Sequence, residues 1–136
     1  MGPSTEPGRD TSRVERVFCD SNVLWPITLV DLTFRLGQIG YHEIVWTEDL
    51  LAELTHVLVD YKGLPLSNAE RFCQQIRETF PTGEIPRTTY EARIGQQVGP
   101  DLDDHVHSAA VARGGATVLL TDNLADFPVA DIHPCV

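Results

Sequence analysis

Arg16-Val17-Phe18-Cys19-Asp20-Ser21-Asn22 runs from three consecutive apolar side chains into an abrupt polar stop. Successive residues of a strand point to opposite faces, so an apolar run without alternation is buried on both sides, as in a parallel sheet between helices. Two further runs have the same form. Ile44-Val45-Trp46 precedes Thr47, and Thr117-Val118-Leu119-Leu120-Thr121, β-branched and apolar, halts at Asp122-Asn123. Helical patterns lie between them. Pro26 suits the first turn of a helix with the stripe Leu29, Leu32, Leu36 and Ile39, ending at Gly40. Thr47, followed by Glu48 and Asp49, caps a second helix with Leu50, Leu51, Leu54, Val57 and Leu58 inward, reaching about Asp60. Ser67-Asn68-Ala69-Glu70 has capping-box spacing and opens a third helix, stopped by Pro81. A fourth spans about Leu102 to Arg113 and ends at Gly114-Gly115. Residues 82–99 show no clear period. Strands alternating with helices define an α/β fold, a central parallel sheet with helices on both faces.

Composition agrees with one such domain. The chain has 136 residues, 42% of them hydrophobic and 22% charged, which excludes disordered, fibrous and membrane classes. Residues 1–15 are polar and rich in Pro and Gly, and are expected to form a flexible leader before a domain over residues 16–136. No apolar run approaches a membrane span and no signal segment opens the chain, so the expected location is the cytoplasm. Cys19, Cys73 and Cys135 are odd in number and widely spaced, and read as reduced thiols. The net charge of −10 argues against a basic-patch nucleic-acid binder. Residues 100–136 hold six acids, all Asp, against Arg113 alone.

Carboxylates come from four regions: Asp20 after the first strand, Glu53 on the second helix, Asp103 and Asp104 where the fourth begins, and Asp122 and Asp126 after the last strand. Strand ends of this kind meet at the carboxyl edge of a parallel sheet, where such folds bind ligands. Gathered there, the acids would repel one another unless a hard divalent cation lay among them. Asp103 and Asp104 also suit a helix cap, and Asp122 suits a turn.

Phe18-Cys19-Asp20-Ser21-Asn22-Val23-Leu24, Leu50-Leu51-Ala52-Glu53-Leu54, Asp103-Asp104-His105-Val106-His107-Ser108-Ala109-Ala110 and Leu120-Thr121-Asp122-Asn123-Leu124-Ala125-Asp126-Phe127 together resemble, in order, the motifs of PIN-domain ribonucleases of the VapC toxin type. The resemblance covers about residues 16–133. It implies a three-layer α/β/α PIN-like fold and an endoribonuclease dependent on Mg2+ or Mn2+. By the same resemblance Asp20 matches the first metal carboxylate and Glu53 the acid that orients or activates water. Asp103 matches the third acid, with Asp104 one residue late. The closing motif falls on Asn123 and Asp126, with Asp122 just ahead of Asn123. The implied catalytic set is Asp20, Glu53, Asp103 and Asp126, with metal on Asp20, Asp103 and Asp126 and with Ser21, Asp104, Asp122 and Asn123 as supporting or alternative residues. The chain ends sooner after the Asp-Phe pair than family members usually do. RNA as substrate, a cognate antitoxin reaching the cleft with an Arg, and a homodimer are the implied partners.

Rival readings use the same residues. A degenerate PIN-like binding module would keep the fold without cleavage. A magnesium phosphatase would use Asp20 as nucleophile, but Asn22 stands where a second Asp is usual and Lys62 is the sole lysine. His105 and His107 lie two apart, about 200° around a helix, so they do not chelate one ion together and read as ordinary helix residues. Arg35, Lys62, Arg71, Arg77, Arg87 and Arg93 are the candidate phosphate contacts.

Overall fold

The first strand, β1 (Glu15–Cys19), is the centre of a three-stranded parallel sheet ordered β2-β1-β3, with β2 at His42–Val45 and β3 at Val118–Leu120. The structure, a computed structural model, describes residues 15–24, 42–121 and 124–132. Val17 pairs with Ile44 on one side and Val118 on the other. Val17, Phe18 and Cys19 point alternately to the two faces and are all buried, so both faces of β1 are covered. The strand begins one residue before the expected start of structure, since Glu15 pairs with His42 and accepts from the Thr117 hydroxyl, and the rest of the expected leader, residues 1–14, lies outside the described residues.

After β1 the chain turns into α1 (Ser21–Leu24). The helix expected around Leu29 to Ile39 lies outside the described residues. Beyond β2 the Thr47 hydroxyl accepts from the Leu50 amide at 2.8 Å and starts α2 (Glu48–His56), as its sequence requires. Leu50, Leu51 and Leu54 bury its inner face. A wider π-helical turn, Val57–Tyr61, follows. The capping box predicted at Ser67 is not used: α3 (Leu66–Thr79) starts one residue earlier, behind Pro65. Pro65 enters with an extended ψ of 143°, and its carbonyl accepts from Asn68 and Ala69, which leaves Ser67 inside the first turn.

The stretch without a sequence pattern contains short pieces. Trp46 and Glu84 form a parallel bridge, made possible by Gly83, where a Cβ would fall 1.9 Å from the Ile44 carbonyl oxygen. A turn of helix, α4 (Arg87–Tyr90), runs into a 3-10 segment, Glu91–Gln96. A 3-10 turn at Leu102–Asp104 leads into α5 (His105–Arg113), which ends at Gly114 and a left-handed Gly115. After β3 come a 3-10 turn, Leu124–Asp126, and α6 (Val129–Ile132). No helix among the described residues is long and apolar enough to cross a membrane.

Candidate metal centre at the carboxyl edge of the sheet

Asp20 is the first residue past β1, and its position is fixed by backbone and side chain together. Its amide donates to the Leu120 carbonyl, extending the β1–β3 ladder by one step. One carboxylate oxygen accepts from the Ser21 amide at 2.8 Å and the other from the Thr121 hydroxyl at 3.1 Å. Only 5% of the residue is exposed. Burial raises its pKa above the ordinary value; the Thr121 and Ser21 hydrogen bonds work against that rise, and the Glu53 charge adds to it.

Ser21 joins the strand end to α2. Its hydroxyl donates to Glu53 Oε2 at 2.7 Å, while Glu53 Oε1 lies 3.1 Å from His107 Nε2 on α5. Burial alone would push Glu53 upward, but the adjacent His107 and the Ser21 hydroxyl outweigh it and hold the carboxyl below its usual range. His107 is 1% exposed and its ring stands 6.2 Å from that of Phe18. Burial pulls its pKa down, and the neighbouring acids, Glu53 first, carry it above normal. The contact with Glu53 is close in distance without the alignment of a hydrogen bond, since neither ring nitrogen has a hydrogen-bond partner.

Of the two adjacent acids at the start of the helix, Asp104 and not Asp103 lies within the close groups of carboxylates. Asp101 caps the 3-10 turn by accepting from the Asp103 amide at 2.9 Å. Asp103 is exposed on the wall of the cleft, whereas Asp104, three residues before His107 and so on its face of the helix, turns inward. Asp104 is within 4.8 Å of Asp101 and Asp126 in one group and of Glu53 and His107 in another. Burial lifts its pKa to about 7, helped by a hydrogen bond with Asp126 and by the charges of Asp101, Asp20 and Glu53. Asp122 and Asn123 lie outside the described residues.

These side chains line one cleft of about 420 Å³, with six carboxylates: Asp20, Glu53, Asp101, Asp103, Asp104 and Asp126. Neither Lys nor Arg is among the described residues that line it. A crowd of oxygen donors with no Lys or Arg among the described lining residues, one of them with its pKa raised to about 7, fits a divalent ion. A larger cleft of about 520 Å³ between α2 and α3 gathers no such set, and its Arg77 is paired with Glu48 at 2.8 Å.

The expected phosphate contacts fare unevenly. Arg93 is buried and donates to the Ala130 carbonyl at 3.1 Å, so it is a structural residue. Arg87 pairs with Asp49, Lys62 and Arg71 are exposed, and Arg35 lies outside the described residues. His107 and Asp101 are the site residues that sequence reasoning passed over. The available signal was the three-residue spacing of Asp104 and His107; comparing His107 with His105 alone concealed it. His105 instead contacts the Gly99 carbonyl oxygen at 2.8 Å. Compared with protein-family models, curated proteins and solved structures, the chain matches none.

Proposed function

We propose that this chain is a divalent-metal-dependent endoribonuclease with a PIN-like three-layer fold, similar to toxins of the VapC type. The observation that carries the reading is the meeting of Asp20, Glu53, Asp104 and Asp126, from four separate segments, in one cleft beside the end of β1. Mg2+ or Mn2+ bound there would screen the phosphate charge and lower the pKa of a bound water. Asp104 and Asp126 are the residues to hold the ion, with Asp20 fixed beside them by Ser21 and Thr121. Glu53 is hydrogen-bonded by Ser21 on one oxygen, lies at ion-pair distance from His107 on the other and is held as the carboxylate, which suits accepting a hydrogen bond from a water and orienting it. Its lowered proton affinity favours that positioning role over outright proton abstraction.

RNA is the expected substrate. An acidic chain with no Lys or Arg among the described residues that line the cleft depends on the ion to bring a phosphodiester near. An antitoxin that inserts an Arg among the carboxylates, a homodimer and a cytoplasmic location belong to the same reading. The test is cleavage of single-stranded RNA by purified protein with Mn2+, with EDTA, and with Asp20→Asn. Cleavage that needs the metal and disappears in the variant is expected. Metal-loaded protein that leaves RNA intact would overturn the reading, and partner binding indifferent to Asp20→Asn would mark a binding module instead.

A further inference from the structure

Among the described residues, His107 is the one buried side chain both of whose ring nitrogens lack a hydrogen-bond partner, and its Nε2 lies at ion-pair distance from Glu53, which lines the acidic cleft. A buried polar group left unsatisfied costs about 1–3 kcal/mol, so native structures keep few of them and each calls for a partner. Glu53 Oε1 is 3.1 Å from Nε2, yet the pair lacks hydrogen-bond alignment. That spacing has another meaning. Two ligands at right angles on an ion with bonds of about 2.1 Å lie about 3.0 Å apart. Ligand atoms of Glu53, Asp104 and His107 all fall within 4.8 Å of one another. Glu53 cannot swing freely, because Ser21 holds its other oxygen at 2.7 Å.

We propose that His107 Nε2 is a metal ligand, forming with Glu53 and Asp104 an inner position that takes a first-row transition-metal dication in preference to magnesium. Mg2+ favours an all-oxygen shell, whereas imidazole suits Mn2+, Fe2+, Co2+ and Zn2+. The all-oxygen group of Asp101, Asp104 and Asp126 adjoins it, and Asp104 is common to both. The inference rests on the reading of the cleft as a metal centre and adds a nitrogen donor that the motif resemblance does not contain.

The experiment uses the metal-stripped full chain titrated with Mn2+, without RNA, and examined by electron-nuclear double resonance for coupling to 14N. Nitrogen coupling is expected in the wild type. It should vanish in His107→Gln and persist in His105→Gln, and His107→Gln should lose roughly tenfold or more of its Mn2+ affinity, the scale on which removal of a metal-site partner acts, with little change toward Mg2+. Mn2+ bound without nitrogen coupling, or not bound at all, overturns the proposal. A wild-type spectrum without nitrogen coupling counts against it whatever the variants do, and coupling that survives in His107→Gln, as from His56 on the cleft wall, overturns it too. Nitrogen-coupled Mn2+ in a protein that never cleaves RNA would sink the nuclease reading and leave this one standing. RNA cleavage with nitrogen-free Mn2+ would do the reverse.

Discussion

Replacing Asp104 by Asn should stabilise the metal-free protein, although it damages the site. Asp104 meets four other carboxylates, and its pKa rises from 3.8 to about 7. At about 1.4 kcal/mol for each tenfold change in proton affinity, that rise corresponds to an upper bound of about 4 kcal/mol of destabilisation in the ionised state. The side chain is only partly buried, and solvent screening brings the expected gain to about 1–2 kcal/mol, or roughly 4–8 °C in Tm. The pH dependence has a definite sign. Between the unfolded value near 4 and the folded value near 7, the folded chain holds a proton that the unfolded chain has lost, so stability falls as pH rises through that window. His107, with its raised pKa, also contributes stability that fades as pH climbs, but it remains in the variant. The difference between the two proteins therefore reads Asp104 together with its coupling to His107. Thermal unfolding in EDTA should show Asp104→Asn above wild type at pH 8 and the two nearly level at pH 4. Added Mn2+ should narrow or reverse the gap at pH 8. A variant no more stable than wild type at pH 8 in EDTA would refute the electrostatic account of the cleft.

Three other outcomes follow from the geometry. The Asp131 carboxylate, 1% exposed, accepts from the Val98 and Gly99 amides, so Asp131→Ala should cost about 2–4 kcal/mol by urea unfolding; a loss below about 0.5 kcal/mol, the range of an indifferent surface change, would show that the latch carries nothing. Gly83→Ala sets a Cβ against the Ile44 carbonyl and should lose roughly 3 kcal/mol, checked the same way, with neutrality as the contrary result. Burial, then the Asp20 charge, pushes the Cys19 thiol up to about 12, so at pH 8 it should resist a thiol reagent in the folded protein and react in urea; rapid native labelling mapped to Cys19 would contradict its placement.

What the sequence could disclose followed from how local each determinant is. Val17-Phe18-Cys19 is apolar on both faces because β1 lies at the centre of the sheet, and Asp20 inherits its place from that strand. Thr47 announces its helix because a cap needs only the next three residues. Asp104 was ambiguous with Asp103 because a 3-10 turn capped by Asp101 sets the register, and a rotation of one residue moves a side chain about 100° around the axis. Arg93 was misread as surface because the groups that bury it, the carbonyls of Ala130 and Asp131, are more than 35 positions away. His107 was dismissed on the same ground: its partner, Glu53, belongs to another helix, and spacing within α5 says nothing about it.

The cleft also ranks its own acids by how each one's burial is offset. Asp20 has two hydrogen bonds from Ser21 and Thr121 to set against desolvation. Glu53 has Ser21 and His107, and for it the balance falls on the charged side. The largest influences on Asp104, its burial and the neighbouring acids Asp126, Asp101, Asp20 and Glu53, all raise its proton affinity, and the nearby His107 is shared with Glu53. A dication relieves most strain where opposing charge is most lacking, so Asp104 is where binding gains most. It is also the residue common to both candidate ligand groups. Charge and geometry thus select the same carboxylate, and they do so without the motif order, which favoured its neighbour.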